Sequence, residues 1–128
     1  QELQTLIHYN LPIKLFVINN GMYLSIKNTQ DSFFNSHYVG VNKHSGVSAP
    51  NLRKIAEAYG IRYLSIENNS EIGEGIRNTL SLEQEGPTIC EVFTYPGERH
   101  EPKVEAVLKE DGTFEPGDLT NMKVTEGF

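Results

Sequence analysis

A single cysteine, Cys90, stands in 128 residues. One thiol cannot cross-link its own chain, and Cys90 lies inside the apolar run PTICEVF with no histidine beside it to activate it. A disulfide-stapled fold is thereby excluded, and Cys90 is expected to pack in the core. Basic residues are also scarce, 11 Lys and Arg against 17 Asp and Glu, for a net charge of -6. Binding a phosphate backbone requires clustered cations, so nucleic acid is not an expected partner. No apolar run approaches the roughly 20 residues that a membrane crossing needs, and no basic-then-apolar leader opens the chain. The expectation is a soluble cytoplasmic protein that meets no membrane. Internal repeats, low-complexity tracts and long like-charge blocks are missing too, which argues against an array or a disordered tail. What is present, 38% hydrophobic residues, suffices for the core of one domain.

Along the chain, QELQTLIHYNLP places Leu3, Leu6 and Ile7 at helical spacing, and Asn10 to Pro12 mark the stop. A helix that starts uncapped at a terminus implies that Gln1 is a cut point in a longer polypeptide. IKLFVI, residues 13–18, reads as a strand buried on both faces, as in parallel sheets. MYLSIKNTQDSFF is weakly helical. Residues 35–48 have no period and read as a long surface loop. SAPNLRKIAEAYG predicts a helix with Ser48 as cap, Pro50 in its first turn and Gly60 as stop. IRYLSI is a second strand, SEIGEGIRNTLSLE a helix weakened by two glycines, and GPTICEVFTYP a third strand. Strands alternating with helices over short connections predict a three-layer αβα fold around a mainly parallel sheet. Residues 1–128 are expected to form one domain, in which 96–128 make an extended tail with a small hairpin or turn at Asp111-Gly112.

The first strand ends in FVINNG, and asparagine is poor strand material. In an open parallel sheet the carboxyl ends of the strands are where ligands bind. A carboxamide oxygen is a hard donor suited to Mg2+, which usually takes one or two protein ligands together with phosphate oxygens and water. The same three residues also suit a plain turn, because Asn and Gly tolerate positive φ. The residues alone leave both readings open.

QELQTLIHYNLPIKLFVINNGMYLSIKNTQ resembles the pyrophosphate-binding domain of thiamine-diphosphate-dependent enzymes, in particular the acetolactate synthase and 2-oxo acid decarboxylase group. The phrase NLPIK, a strand and then Asn-Asn carry the resemblance, and NLRKIAEAYGI, GPTICEV and EPKV continue it in order. The resemblance implies thiamine diphosphate and Mg2+ as cofactors. It implies Asn20 as a side-chain ligand of the metal and Met22 as donor of a backbone carbonyl to it, with Tyr23, Leu24 and Ser25 running past the diphosphate. It further implies a 2-oxo acid substrate and decarboxylation or carboligation. The partner is then a pyrimidine-binding domain of the same or a neighbouring subunit, within a homodimer or tetramer.

Three departures from the family pattern shape the expectation. The Gly-Asp-Gly turn that supplies the other metal ligand does not occur, which makes the fold incomplete at its N-terminus. The family's catalytic glutamate belongs to the separate pyrimidine-binding domain, so no catalytic residue is assigned in this chain, which alone is expected to be inactive. Thr29 stands where acetolactate synthases carry a tryptophan near the acceptor, so Thr29 is the substrate-proximal candidate and another 2-oxo acid decarboxylase becomes an alternative. The alternative from a different class is a non-catalytic α/β assembly or regulatory module. His8, His37, His44 and His100 fit no zinc spacing; His37 and His44 lie in the long loop, within possible reach of substrate. Tyr63 and Tyr95 read as strand-end packing. GVSAP lacks the second glycine of a nucleophile elbow and reads as a helix cap.

Overall fold

Leu3 and Ile7 lie four residues apart on helix α1 (Glu2–His8), and this edge packs on a core of Ala56, Ile61 and Ile89 together with Leu15, Val17, Tyr59 and Tyr63. The computed structural model describes residues 1–81, 83, 85–97, 101–104 and 106–122. It divides into two compact units, Gln1–Pro96 and Gly97–Phe128.

In the first unit, strands β1 (Lys14–Asn19), β2 (Arg62–Ile66) and β3 (Thr88–Phe93) form a parallel sheet in the order β1-β3-β2. Between β1 and β2 lie α2 (Leu24–Phe33) and α3 (Leu52–Tyr59), and α4 (Ile72–Leu80) joins β2 to β3. Side chains alternate across the sheet. Leu15, Val17, Tyr63 and Ile89 face α1 and α3, while Ile66 faces α4. The architecture is therefore the three-layer αβα arrangement around a parallel sheet that the sequence predicts. Cys90 and Thr88 are fully buried on the central strand.

Two local expectations are corrected. The first strand is not covered on both faces: it is one of the two edge strands, and Phe16 and Ile18 remain 40% and 63% exposed. The reason is where α4 lies. It packs on β2 and β3, leaving the β1 half of that face uncovered among the described residues, and the strand with both faces covered is β3. Ser48 does not cap α3; the Asn51 side chain accepts the Lys54 N–H at 3.0 Å, so the helix begins at Leu52, beyond Pro50. Asparagine is among the strongest caps, and its position next to the first apolar residue decides the start. Gly60 ends the helix at φ +68, in the left-handed region that favours glycine.

The stretch 35–48 is tied down. Gln30 donates to the Val39 carbonyl and accepts the Val39 N–H, both at 2.9 Å, and Val41 is fully buried. Asn42 and Ser45 close a capping box around a short 3-10 turn, Lys43–Ser45. In the second unit, β4 (Val107–Leu108) pairs antiparallel with β5 (Phe114–Glu115). Gly112, at φ +81, lies in the turn, and Asp111 accepts from the Thr113 amide and hydroxyl. Among the described residues no helix is long and apolar enough to cross a membrane.

Candidate functional site

At the carboxyl end of β1 the chain makes two consecutive side-chain turns. Asn19 Oδ1 accepts the Gly21 N–H at 2.9 Å, and Asn20 Oδ1 accepts the Met22 N–H at 3.1 Å. Both bonds copy a backbone turn with a side chain, which is what asparagine does better than other residues. Gly21 sits at φ +69 with open space where a Cβ would project, so it is required for its backbone angle and not for close approach. Met22 then bridges Asn42, and the Tyr23 N–H donates to the Val41 carbonyl at 2.8 Å. The tied-down loop thus clamps the far side of the turn.

Helix α2 begins directly after this clamp. Its N-cap, Tyr23, gives no side-chain hydrogen bond to the first turn. With the Tyr23 amide held by Val41, the amides of Leu24, Ser25 and Ile26 are the ones that stand at the helix start, where the macrodipole favours an anion. A cleft of about 260 Å³ opens between Asn19, Asn20 and Met22 on one side and Val47, Pro50 and Leu52 on the other. A second cleft of about 390 Å³ shares Asn19 and Gly21 and reaches Arg53, Tyr63, Glu67 and Glu91.

Asn20, Met22, Tyr23, Leu24 and Ser25 are therefore contiguous at one end of the sheet. For a divalent cation the chain offers one carboxamide oxygen, on Asn20, and one backbone carbonyl, on Met22. Both are hard and neutral, which suits Mg2+ as part of a shell completed by phosphate and water. Among the described residues no group of three His, Cys, Asp or Glu side chains could hold a metal alone. Thr29 is exposed one turn along α2, and its hydroxyl donates to the Ser25 carbonyl at 3.1 Å. His8, His37 and His44 are exposed and line neither cleft, and His100 lies outside the described residues.

Two features of the site escape a reading of the sequence. Glu91, on the central strand, is only 4% exposed, and its carboxylate accepts from the Asn19 side-chain amide at 2.6 Å and from the Tyr63 hydroxyl at 2.5 Å. Burial, and then the hydrogen bond to Glu91, push the Tyr63 phenol up to about 12. Tyr63 thus does more than pack at a strand end: its hydroxyl holds Glu91. The available signal is an acid inside TICEVF, because a charge in an apolar strand is kept only with partners.

The second feature is Asp31. It pairs with Lys27 at 2.6 Å and accepts from the Tyr38 hydroxyl, joining α2 to the loop. The Lys27 hydrogen bond first, then those of Tyr38 and Ser36, hold its carboxyl down at about 2, from an ordinary 3.8. A lowered folded-state pKa means the clamp is complete above the ordinary value and is lost as pH falls through the folded one. An acid titration followed by the Tyr38 ring resonances is expected to show its midpoint near pH 2, and a midpoint near 3.8 would show that no clamp forms.

Comparison with known proteins adds a family. Residues 1–92 match the model described as thiamine pyrophosphate enzyme, C-terminal TPP binding domain. The acetolactate synthase large subunit of Porphyra purpurea is 30% identical over 104 residues, which is 81% of this chain and 17% of that protein. The mitochondrial acetolactate synthase of Schizosaccharomyces pombe is 28% identical over 103 residues, 80% of this chain and 14% of its own. The probable acetolactate synthase large subunit of Methanococcus aeolicus is 30% identical over 84 residues, 66% of this chain and 14% of its own. The chain thus spans less than a fifth of the length of these relatives. Matched by that model over residues 1–92, the chain belongs to the C-terminal TPP-binding domain family of thiamine pyrophosphate enzymes.

Proposed function

We propose that this chain is the diphosphate-binding part of a thiamine diphosphate and Mg2+ dependent enzyme of the acetolactate synthase kind, acting on 2-oxo acids. One observation carries the reading. The turn Asn19 to Met22 puts a carboxamide oxygen and a backbone carbonyl at the carboxyl end of a parallel strand, next to a helix start with no side-chain cap. Asn20 and Met22 hold the metal, and the amides of Leu24 and Ser25 receive the diphosphate. When bound, the cofactor supplies the electron sink for decarboxylation and carboligation. This chain's own part is to bind, to orient and to keep water from the phosphate end. Val47, Pro50 and Leu52 give the cleft an apolar wall.

The proposal includes a pyrimidine-binding domain from the same or a neighbouring subunit, a homodimer or tetramer, and a cytoplasmic setting. The size of the relatives supports further domains. Thr29 is assigned to the acceptor side of the pocket, where a threonine leaves more room and more water than an indole; its hydroxyl is turned back to the helix, so its methyl group is what it offers.

Calorimetric titration with thiamine diphosphate tests the reading. The full-length enzyme is expected to take up the cofactor with Mg2+ and to lose it in EDTA, and uptake indifferent to EDTA would reject the metal assignment. The 128-residue chain alone, which supplies two of about six ligand positions, is expected to show no micromolar uptake.

A further inference from the structure

We propose that Glu91 is a positioning residue for the cofactor turn: its buried carboxylate, acting through the Asn19 carboxamide, fixes the peptide that carries Asn20 and Gly21. The inference rests on the reading of that turn as the metal and diphosphate site.

A carboxylate at 4% exposure on the central strand is costly, since an apolar residue there would pack without desolvating a charge. What the acid provides is orientation. An ionised carboxylate only accepts hydrogen bonds. Facing Asn19, it therefore selects the amide orientation in which Nδ2 points at Glu91, 2.6 Å away, and Oδ1 points at the Gly21 N–H, 2.9 Å away. The flipped amide would set two acceptors against each other at Glu91 and two donors against each other at Gly21. One buried charge thereby decides the sense of both bonds. The Gly21 N–H belongs to the peptide plane that joins Asn20 to Gly21, so holding it also sets the direction in which Asn20 leaves the backbone. The next turn, Asn20 Oδ1 to the Met22 N–H, closes on that frame.

The other carboxylate oxygen is held by Tyr63, whose ring lies under the Arg53 guanidinium at 4.6 Å. Elements α3, β2 and β3 thus converge on Glu91, and Glu91 passes their rigidity to the turn at the end of β1. A Glu91 of purely structural value would change stability when altered, but not the turn or its ligand.

Glu91→Gln keeps the shape but not the charge, and its carboxamide can face Asn19 with either its oxygen or its NH2 group, so the orientation of the Asn19 amide is no longer imposed. In the full-length enzyme, Mg2+-supported thiamine diphosphate affinity is expected to fall about 10-fold, the scale of losing an outer partner of a metal ligand. Hydrogen exchange at Gly21 and Met22 should become faster in the cofactor-free protein. Tyr63→Phe leaves the Asn19 bond in place and frees only the far carboxylate oxygen, so its loss of affinity should be smaller than that of Glu91→Gln. Because Glu91 acts through Asn19, the double variant Glu91→Gln with Asn19→Ala should bind no worse than the weaker single variant. Lower thermal stability with unchanged affinity and unchanged exchange at Gly21 overturns the proposal, as do additive losses in the double variant. If Glu91→Gln does not fold, Asn19→Ala alone decides: the same loss of affinity is expected, and parent-like affinity overturns the link. Failure of the parent enzyme to bind the cofactor with Mg2+ would instead reject the reading of the site, and the exchange measurement would still report on Glu91.

Discussion

Gly75→Ala is expected to destabilise the first unit by about 2 kcal/mol, although alanine is the better helix former. A Cβ built at Gly75, in the middle of α4, would lie 2.5 Å from Ile66 Cγ1 and 2.6 Å from its Cδ1. Ile66 is 3% exposed on β2, so its side chain has no open space to retreat into. Overpacking of a closed core costs about 1–3 kcal/mol, and two atoms in overlap put this site at the upper end. Alanine returns about 1 kcal/mol of helix propensity, which leaves the net loss stated. For a unit of this size the melting temperature should drop by roughly 10 °C. Gly73 is the internal control. The nearest atom to its Cβ would be Arg77 Nη1 at 3.5 Å, an ordinary contact, so Gly73→Ala should gain about 0.5–1 kcal/mol. Adding Ile66→Val to Gly75→Ala removes Cδ1 and keeps Cγ1, and should recover part of the loss. Equal melting temperatures for the two glycine variants would show that α4 does not approach the sheet this closely.

This pair also marks how far the sequence can be read. Both glycines look alike in EIGEGIRNTL, as propensity weakeners, and only the packing of α4 on Ile66 separates them. Local chemistry was legible: the Gly60 stop, the strand ends and the αβ alternation all rest on neighbours in sequence. Properties set by distant partners were not. The runs at 13–18 and 87–93 are both apolar, and nothing within either says that β3 lies in the middle and β1 at the edge. That difference arises from the order in which the strands pair. The cap of α3 was misplaced because Ser48 and Asn51 are both good caps, and the choice depends on which one meets a free amide, here that of Lys54. At the site, Asn19-Asn20-Gly21 announces a turn by composition alone. The partner that orients it, Glu91, lies 72 residues away and is brought near by the parallel pairing of β1 with β3. The Tyr23 amide shows the same limit, since its capture by Val41 depends on a loop without periodicity.

Asn20→Ala is expected to weaken Mg2+-supported thiamine diphosphate binding by the full-length enzyme 10- to 100-fold, about 1.4–2.7 kcal/mol. Two effects add in the same direction. In the proposed site, the substitution removes one of the two hard oxygens assigned to the metal. It also releases the Met22 N–H, whose bond to Asn20 Oδ1 at 3.1 Å closes the turn, so the Met22 carbonyl loses its fixed direction. Asn20→Asp separates them. It keeps an acceptor for the Met22 amide and adds a charge that a divalent cation welcomes, so the cofactor affinity should stay within about 10-fold of the parent, at the low end of the alanine effect. The dependence on Mg2+ then identifies what Asn20 touches. If it ligates the metal, raising Mg2+ recovers much of the affinity lost in Asn20→Ala, because the remaining oxygens still form an incomplete shell that mass action can fill. If it contacts the diphosphate directly, the loss is the same at every Mg2+ concentration. Parent-like affinity in Asn20→Ala at limiting Mg2+ would remove Asn20 from the site, and the asparagines would then serve only to turn the chain.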